Sequence, residues 1–134
     1  MSLKTLGTRE HNPERWTVEF HEEFLQEFAS FSEAVREETY ALIKMLEERG
    51  PQLGRPHADT LKGAKRANLK ELRFRADDGV WRIAFAFDAR RNAILLVGGD
   101  KSGRSQDRFY RGLIEIAEKR FIQHQKALTR AKEE

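Results

Sequence analysis

Cysteine is absent from the 134 residues, which excludes a disulfide framework, a thiolate metal site and a cysteine nucleophile, and suits a reducing compartment. Histidine is scarce. The four histidines include no pair at metal-ligand spacing, and Gly98-Gly99 is too short to be a phosphate-binding glycine loop. The chain therefore reads as needing no metal and no cofactor. No apolar run approaches the roughly 18 residues that span a bilayer, and the first ten residues lack the apolar core of a signal peptide. A soluble, cytoplasmic protein is predicted, with no membrane partner.

Charge, by contrast, is abundant. Charged residues make up 35% of the chain against 39% hydrophobic, a mix too apolar for disorder and large enough for one core without staples. The net charge of +3 conceals an uneven distribution. Residues 1–54 carry six Lys/Arg against eleven Asp/Glu, residues 55–111 fourteen against seven, and residues 112–134 five against four. The middle segment is thus net +7 and reads either as a surface for a polyanion or as a solvated face. Its cations Lys62, Lys65, Arg66, Lys70, Arg75, Arg104 and Arg108 are candidates for RNA binding.

The periodicity predicts one domain over residues 15–125, between a flexible lead-in (1–14) and a frayed polar tail (126–134). Trp16, Val18 and Phe20 alternate as in a half-buried strand. Phe24, Leu25 and Phe28 share one helical face behind an acidic first turn. A second helix, capped by Ser32, carries Val35, Thr39, Leu42, Ile43 and Leu46 until Gly50-Pro51 stops it. Residues 51–68 show no usable period and read as a long basic connection. A three-stranded meander follows. Leu72 and Phe74 alternate with Glu71, Arg73 and Arg75, and Asp77-Asp78-Gly79 supplies a tight hairpin. Trp81, Ile83, Phe85 and Phe87 then face one side, with Val80, Arg82, Ala84, Ala86 and Asp88 on the other. Ala93–Val97 is a continuous apolar run, as of a strand covered on both faces. A last helix carries Phe109, Leu113, Ile116, Ala117 and Phe121 on one stripe. The prediction is an α+β fold, with an N-terminal strand and helical hairpin, an antiparallel sheet and a C-terminal helix. The hairpin is placed on one sheet face and a basic cleft on the other.

Four segments carry a family likeness: Leu46–His57 (LEERGPQLGRPH), Thr60–Gly63 (TLKG), Asn68–Arg73 (NLKELR), and the stretch from Trp81–Asp88 (WRIAFAFD) through Leu95–Lys101 (LLVGGDK). Together they resemble the RelE/ParE toxin superfamily of type II toxin–antitoxin systems, in its HigB-like, phage-derived branch. The resemblance runs from about Trp16 to Phe121. It implies a RelE/ParE-like fold, a cognate antitoxin of helix-turn-helix type as partner, and an endoribonuclease that cuts mRNA on the ribosome. The same fold serves ParE-like inhibitors of DNA gyrase, and a third reading is an RNA-binding or interaction module without catalysis.

Metal-free RNA cleavage needs a base for the ribose 2′-hydroxyl, cations for the phosphorane and an acid for the leaving 5′-oxygen. Arg73 and Arg82 fall on adjacent strands and project from one polar face, where guanidinium forks match phosphate oxygens. A structural alternative pairs Arg73 with Glu71 or Asp88. The resemblance implies a role for Arg82 at the scissile phosphate, for Lys101 in phosphate contact or proton transfer, and for Tyr110 in stacking on a base or orienting the nucleophile. Asp100 is read as an anchor for Lys101 or an arginine, and Gly98-Gly99 as allowing close approach of a ligand. RelE-like toxins carry lysines on this strand, which here reads Lys70-Glu71-Leu72-Arg73 with a glutamate near one of those places, and other HigB-like toxins use histidines near the scissile phosphate, so Glu71, His57 and Lys101 all stand as candidate bases. His11, His21 and His124 read as surface residues. In this reading Lys101, Arg82, Arg73, Glu71 and Tyr110 form the catalytic set.

Overall fold

A computed structural model describes residues 15–65 and 68–133; the lead-in with His11, the candidate Arg66 and residue 134 lie outside the described residues. The chain order is β1 (Thr17–Phe20), α1 (Glu22–Ala29), α2 (Glu33–Arg49), a 3-10 turn (Gly50–Gln52), β2 (Ala58–Thr60), β3 (Leu69–Ala76), β4 (Gly79–Phe87), β5 (Asn92–Asp100) and α3 (Gln106–Glu133). The strands form a five-stranded sheet in the order β1-β5-β4-β3-β2. β1 runs parallel to β5 and the other pairs are antiparallel. The α+β class, the helical hairpin and the meander are as the sequence predicts.

Local chemistry accounts for the boundaries. The His21 ring accepts from the Glu23 amide at the start of α1, and Ser32 Oγ accepts from the Val35 amide at the start of α2, each satisfying an orphan N–H. Gly50 ends α2 at φ +55, and a Cβ there would come within 2.3 Å of the Trp16 indole. Only glycine fits both the conformation and the contact. Asp77 and Asp78 both take positive φ in a two-residue turn between the paired Ala76 and Gly79, as a type I′ hairpin requires.

Two cores flank the sheet. Phe24 and Phe28 of α1, with Leu42 and Leu46 of α2, pack on Leu72, Ile83, Phe85, Ala93 and Leu95. On the other face Phe109, Leu113, Ala117 and Phe121 of α3 pack on Leu69, Ala84, Ala86, Ile94, Leu96 and Val97. The predicted basic cleft therefore does not occupy a whole face. α3 covers most of it, because Ala84 and Ala86 leave room for a helix to approach, and only the charged end stays open. Residues 126–133, predicted to fray, continue α3. The connection 51–68 also departs from expectation, since it holds the 3-10 turn and β2, an edge strand too short to show a period.

Candidate active site

At the open end of the α3 face, alternation along β3 and β4 sets charged residues where alanines lie further in. Arg82 stands opposite Arg73, and Glu71 opposite Ala84; on the outer side Glu71 stands opposite Asp59 of β2. Like charges facing across strands are unfavourable, so the cluster is held by its oblique contacts. Arg82 Nε lies 3.6 Å from Glu71 Oε1, Arg73 Nε 3.9 Å from Glu71 Oε2, and Arg73 Nη1 3.6 Å from Asp59 Oδ2, which also accepts from Arg55 Nε at 3.0 Å. Tyr110, in the second turn of α3, closes the group. Its hydroxyl donates to Glu71 Oε1 at 2.9 Å and accepts from Arg82 Nε at 3.2 Å.

Four of the five predicted catalytic residues thus converge. Arg82 is buried rather than exposed, at 7%, and Glu71 is 5% exposed. Arg73 pairs with Glu71 and Asp59, not with Asp88, which lies at the far end of β4. Lys101 stands outside the cluster. Its amide donates to Val80 O, and its Nζ lies 3.5 Å from Gln106 Oε1, at the rim of the site.

Burial pushes the Glu71 carboxyl above its ordinary range, against the Tyr110 hydrogen bond and the charges of Arg82 and Arg73. A raised carboxylate is a stronger base near neutrality. Burial and the Glu71 charge raise Tyr110, which keeps its hydroxyl a neutral donor. The Thr60 amide, with Arg55 and Arg73 beside it, holds Asp59 below the usual carboxylate range. A folded state that raises the pKa of Glu71 binds more protons than the unfolded chain between the ordinary and the raised value. The Glu71 contribution to stability is therefore full below the ordinary carboxylate pKa and lost as pH climbs through the raised one. Urea unfolding of wild type and Glu71→Gln from pH 4 to 8 is expected to show the wild-type advantage shrinking with pH. An advantage that grew with pH would mean that the arginines, not burial, control Glu71.

Two concavities meet at Arg73. One, of about 370 Å³, is lined by Arg55, Pro56, Arg73, Phe74, Arg75, Val80 and Arg82, a basin with four guanidinium groups. The other, of about 280 Å³, is lined by Asp59, Thr60, Lys62, Glu71, Arg73, Gln106, Asp107 and Tyr110. Of the remaining RNA-binding candidates, Lys65, Arg104 and Arg108 are exposed. Arg104 sits over the Phe109 ring at 5.9 Å. Lys70 is opposite Phe85 and so projects from the helical-hairpin face, away from this site.

Several sequence readings are corrected by contacts. Asp100 anchors neither Lys101 nor an arginine by hydrogen bond; it accepts from Ser102 and from the Val80 amide and so fixes the loop after β5. Gly98 and Gly99 leave room for Phe24 and Phe109, which is core packing, not ligand approach. His21 caps α1, and His124 bonds Asp88 at 2.8 Å, so neither is a bare surface residue. The His57 carbonyl accepts from the Arg73 amide, and its ring takes no part in the cluster. Asp59, Arg55 and Asp107 were not singled out from the sequence. Asp59 and Arg55 lie in the stretch without periodicity, and Asp107 lies in the first turn of α3.

Residues 26–122 match the family of phage-derived Gp49-like proteins. The chain belongs to this family. Two relatives in Mycobacterium tuberculosis are named as toxins. HigB2 is 37% identical over 114 residues, covering 81% of this chain and 54% of its own length. HigB3 is 49% identical over 78 residues, covering 58% of this chain and 66% of its own. This Gp49-like chain thus spans about half of the one and just under two thirds of the other. Among solved structures, the free state of a mutant of the E. coli toxin RelE superposes with a TM-score of 0.57 at 16% identity, over 79% of this chain and 97% of that one. The Gp49-like chain therefore has the RelE fold.

Proposed function

We propose that this protein is the toxin of a toxin–antitoxin pair and acts in the cytoplasm as a metal-free endoribonuclease on ribosome-bound mRNA, held silent by a cognate antitoxin. The observation that carries this reading is the convergence of Glu71, Arg73, Arg82 and Tyr110 beside an arginine-lined basin, in a family whose relatives are named as toxins. Glu71 takes the proton of a ribose 2′-hydroxyl as the 2′-oxygen attacks phosphorus. Arg73 and Arg82 hold the phosphate oxygens while negative charge develops on them. As the bond from phosphorus to the 5′-oxygen breaks, Lys101 at the rim supplies a proton to that oxygen, leaving a 2′,3′-cyclic phosphate and a 5′-hydroxyl. Tyr110 fixes the Glu71 carboxylate and the Arg82 fork in the orientation this requires.

Pulse labelling after expression without the antitoxin tests the reading. Incorporation of labelled amino acid is expected to collapse before that of thymidine. Arrest of DNA synthesis while translation continues would replace the nuclease with a gyrase inhibitor.

A further inference from the structure

The edge strand β2 sets one carboxylate against another. Asp59 stands opposite Glu71 in the β2–β3 ladder, a pairing of like charges that is unfavourable in itself. Their surroundings divide the two. Asp59 Oδ1 accepts from the Thr60 amide at 2.8 Å and Oδ2 from Arg55 Nε at 3.0 Å, with Arg73 Nη1 at 3.6 Å. The Thr60 amide above all, and then Arg55 and Arg73, keep this group ionised. Glu71 is sunk in the sheet instead. Its Oε1 takes the Tyr110 hydroxyl at 2.9 Å and lies 3.6 Å from Arg82 Nε, whereas Oε2 faces Arg73 Nε at 3.9 Å, too long for a hydrogen bond. Burial raises the Glu71 carboxyl, and the Asp59 charge works in the same direction against Tyr110, Arg82 and Arg73. Two carboxyl groups pushed apart in this way divide into a fixed charge and a proton acceptor. The other charged groups around Glu71 are of opposite sign. Lys62 and Asp107 line the same concavity, and Lys101 reaches only its Gln106 wall, at 3.5 Å.

We propose that Asp59 is a positioning residue of this site, which holds Arg73 out towards the arginine basin and so keeps Glu71 Oε2 open for the proton of the ribose 2′-hydroxyl. The inference rests on the proposed nuclease and adds what prepares its base. Arg73 stands between the two carboxylates, 3.6 Å from one and 3.9 Å from the other, and a shift of about 1 Å would bring its Nε within hydrogen-bond distance of Oε2. An ion pair closed there would cover the accepting oxygen and lower its affinity for a proton. Asp59 competes for the same guanidinium and prevents the closure. Its own orientation is fixed, because the Thr60 amide holds Oδ1 while the Arg73 amide is tied to His57 O beside it. Asp59→Asn is the informative change. Asn keeps an oxygen for the Thr60 amide and offers Arg73 an amide in place of a carboxylate, and Asp59 belongs to neither core.

Two measurements test this role, and the first needs no cleavage. The Glu71 carboxyl is followed by carbon-13 NMR through a pH titration of the purified chain, wild type and Asp59→Asn, with Glu71→Gln to assign the signal. Loss of the like charge and closure of Arg73 both favour the carboxylate, so the midpoint is expected to fall by at least about half a pH unit in the variant. A midpoint that stays or rises overturns the positioning role. In the second, single-turnover cleavage of mRNA on programmed ribosomes is read against pH and protein concentration. The acid limb is expected to move to lower pH and the plateau rate to drop by about three- to tenfold as the base weakens. The half-saturating concentration should not rise, since the basin without Asp59 is more cationic. A limb that stays in place while that concentration rises would mark a merely structural lesion and overturn the role. The two readings can fail separately. A midpoint that falls when the wild-type chain cuts no mRNA keeps Asp59 as the holder of Arg73 and sinks the nuclease; normal cleavage with an unmoved midpoint keeps the nuclease and sinks Asp59.

Discussion

Arg82→Ala is expected to cost about 3–5 kcal/mol of stability at neutral pH, the range for removing one partner of a buried ion pair. Arg82 and Glu71 are each less than a tenth exposed, and Tyr110 binds both. Without Arg82 the Glu71 carboxylate would stay buried beside Arg73 alone, at 3.9 Å. The loss is self-limiting in acid. Burial already raises Glu71, and removing a cation raises it further, so protonation relieves the unpaired charge and the gap between wild type and variant should narrow as pH falls through that range. A double-mutant cycle by urea unfolding separates this from simple loss of packing. Glu71→Gln with Arg82→Ala should be less destabilised than the sum of the two single changes, because the buried charge is gone from both sides. Additive effects would mean that Arg82 matters by volume, not charge. Toxicity lost in Arg82→Ala therefore says little about catalysis, since loss of fold alone would remove it.

The α3 face shows why some of this was legible in the sequence and some was not. Alternation over Val80–Phe87 is long enough to assign every side chain to a face, and the placement of Arg82 with Ala84 and Ala86 follows from it. Burial of Arg82 does not follow, because it depends on where α3 lies, and a helix stripe gives the face of the helix but not the point on the sheet where it starts. The same ignorance hid the roles of Gly98 and Gly99, whose missing side chains make room for rings from two different helices. β2 was invisible for another reason. Three residues carry no period, so Asp59 was placed in a loop and its hold on Arg73 could not be foreseen. Lys101 falls at the rim of the cluster and not within it. The strand end was right, but Asp100 takes the contacts to Val80 and Ser102 and the lysine points to Gln106 at the rim.

Arg73 and Lys101 give the cleaner test of the chemistry. Arg73 is a third exposed at its side chain and bridges Asp59 and Glu71 at 3.6 and 3.9 Å, contacts of the partly solvated kind that contribute about 0–1 kcal/mol. The Lys101 side chain makes a long contact, at 3.5 Å to Gln106. Neither fills a core, so Arg73→Ala and Lys101→Ala are expected to unfold at nearly the wild-type urea concentration. Their effect on mRNA cleavage should be far larger. Removing one preorganised donor to a developing oxyanion slows a reaction by roughly 10²–10³, and losing a positioned general acid by roughly 10²–10⁴; single-turnover cleavage on programmed ribosomes would read both. The two can also be told apart on the acid limb of the pH profile, because losing Arg73 removes a charge that lowers Glu71 and moves that limb to higher pH, whereas losing Lys101 leaves it in place. Arg90→Ala is the control. Arg90 is exposed in the β4–β5 turn, where its amide bonds Asp88 Oδ1 at 2.8 Å, at the opposite end of β4 from the basin, and its loss removes the same charge. It should keep cleavage within about threefold of wild type, a difference of under about 1 kcal/mol in the barrier. Equal damage from Arg90→Ala and Arg73→Ala would mean that diffuse attraction between a basic surface and RNA, not a built site, governs the activity.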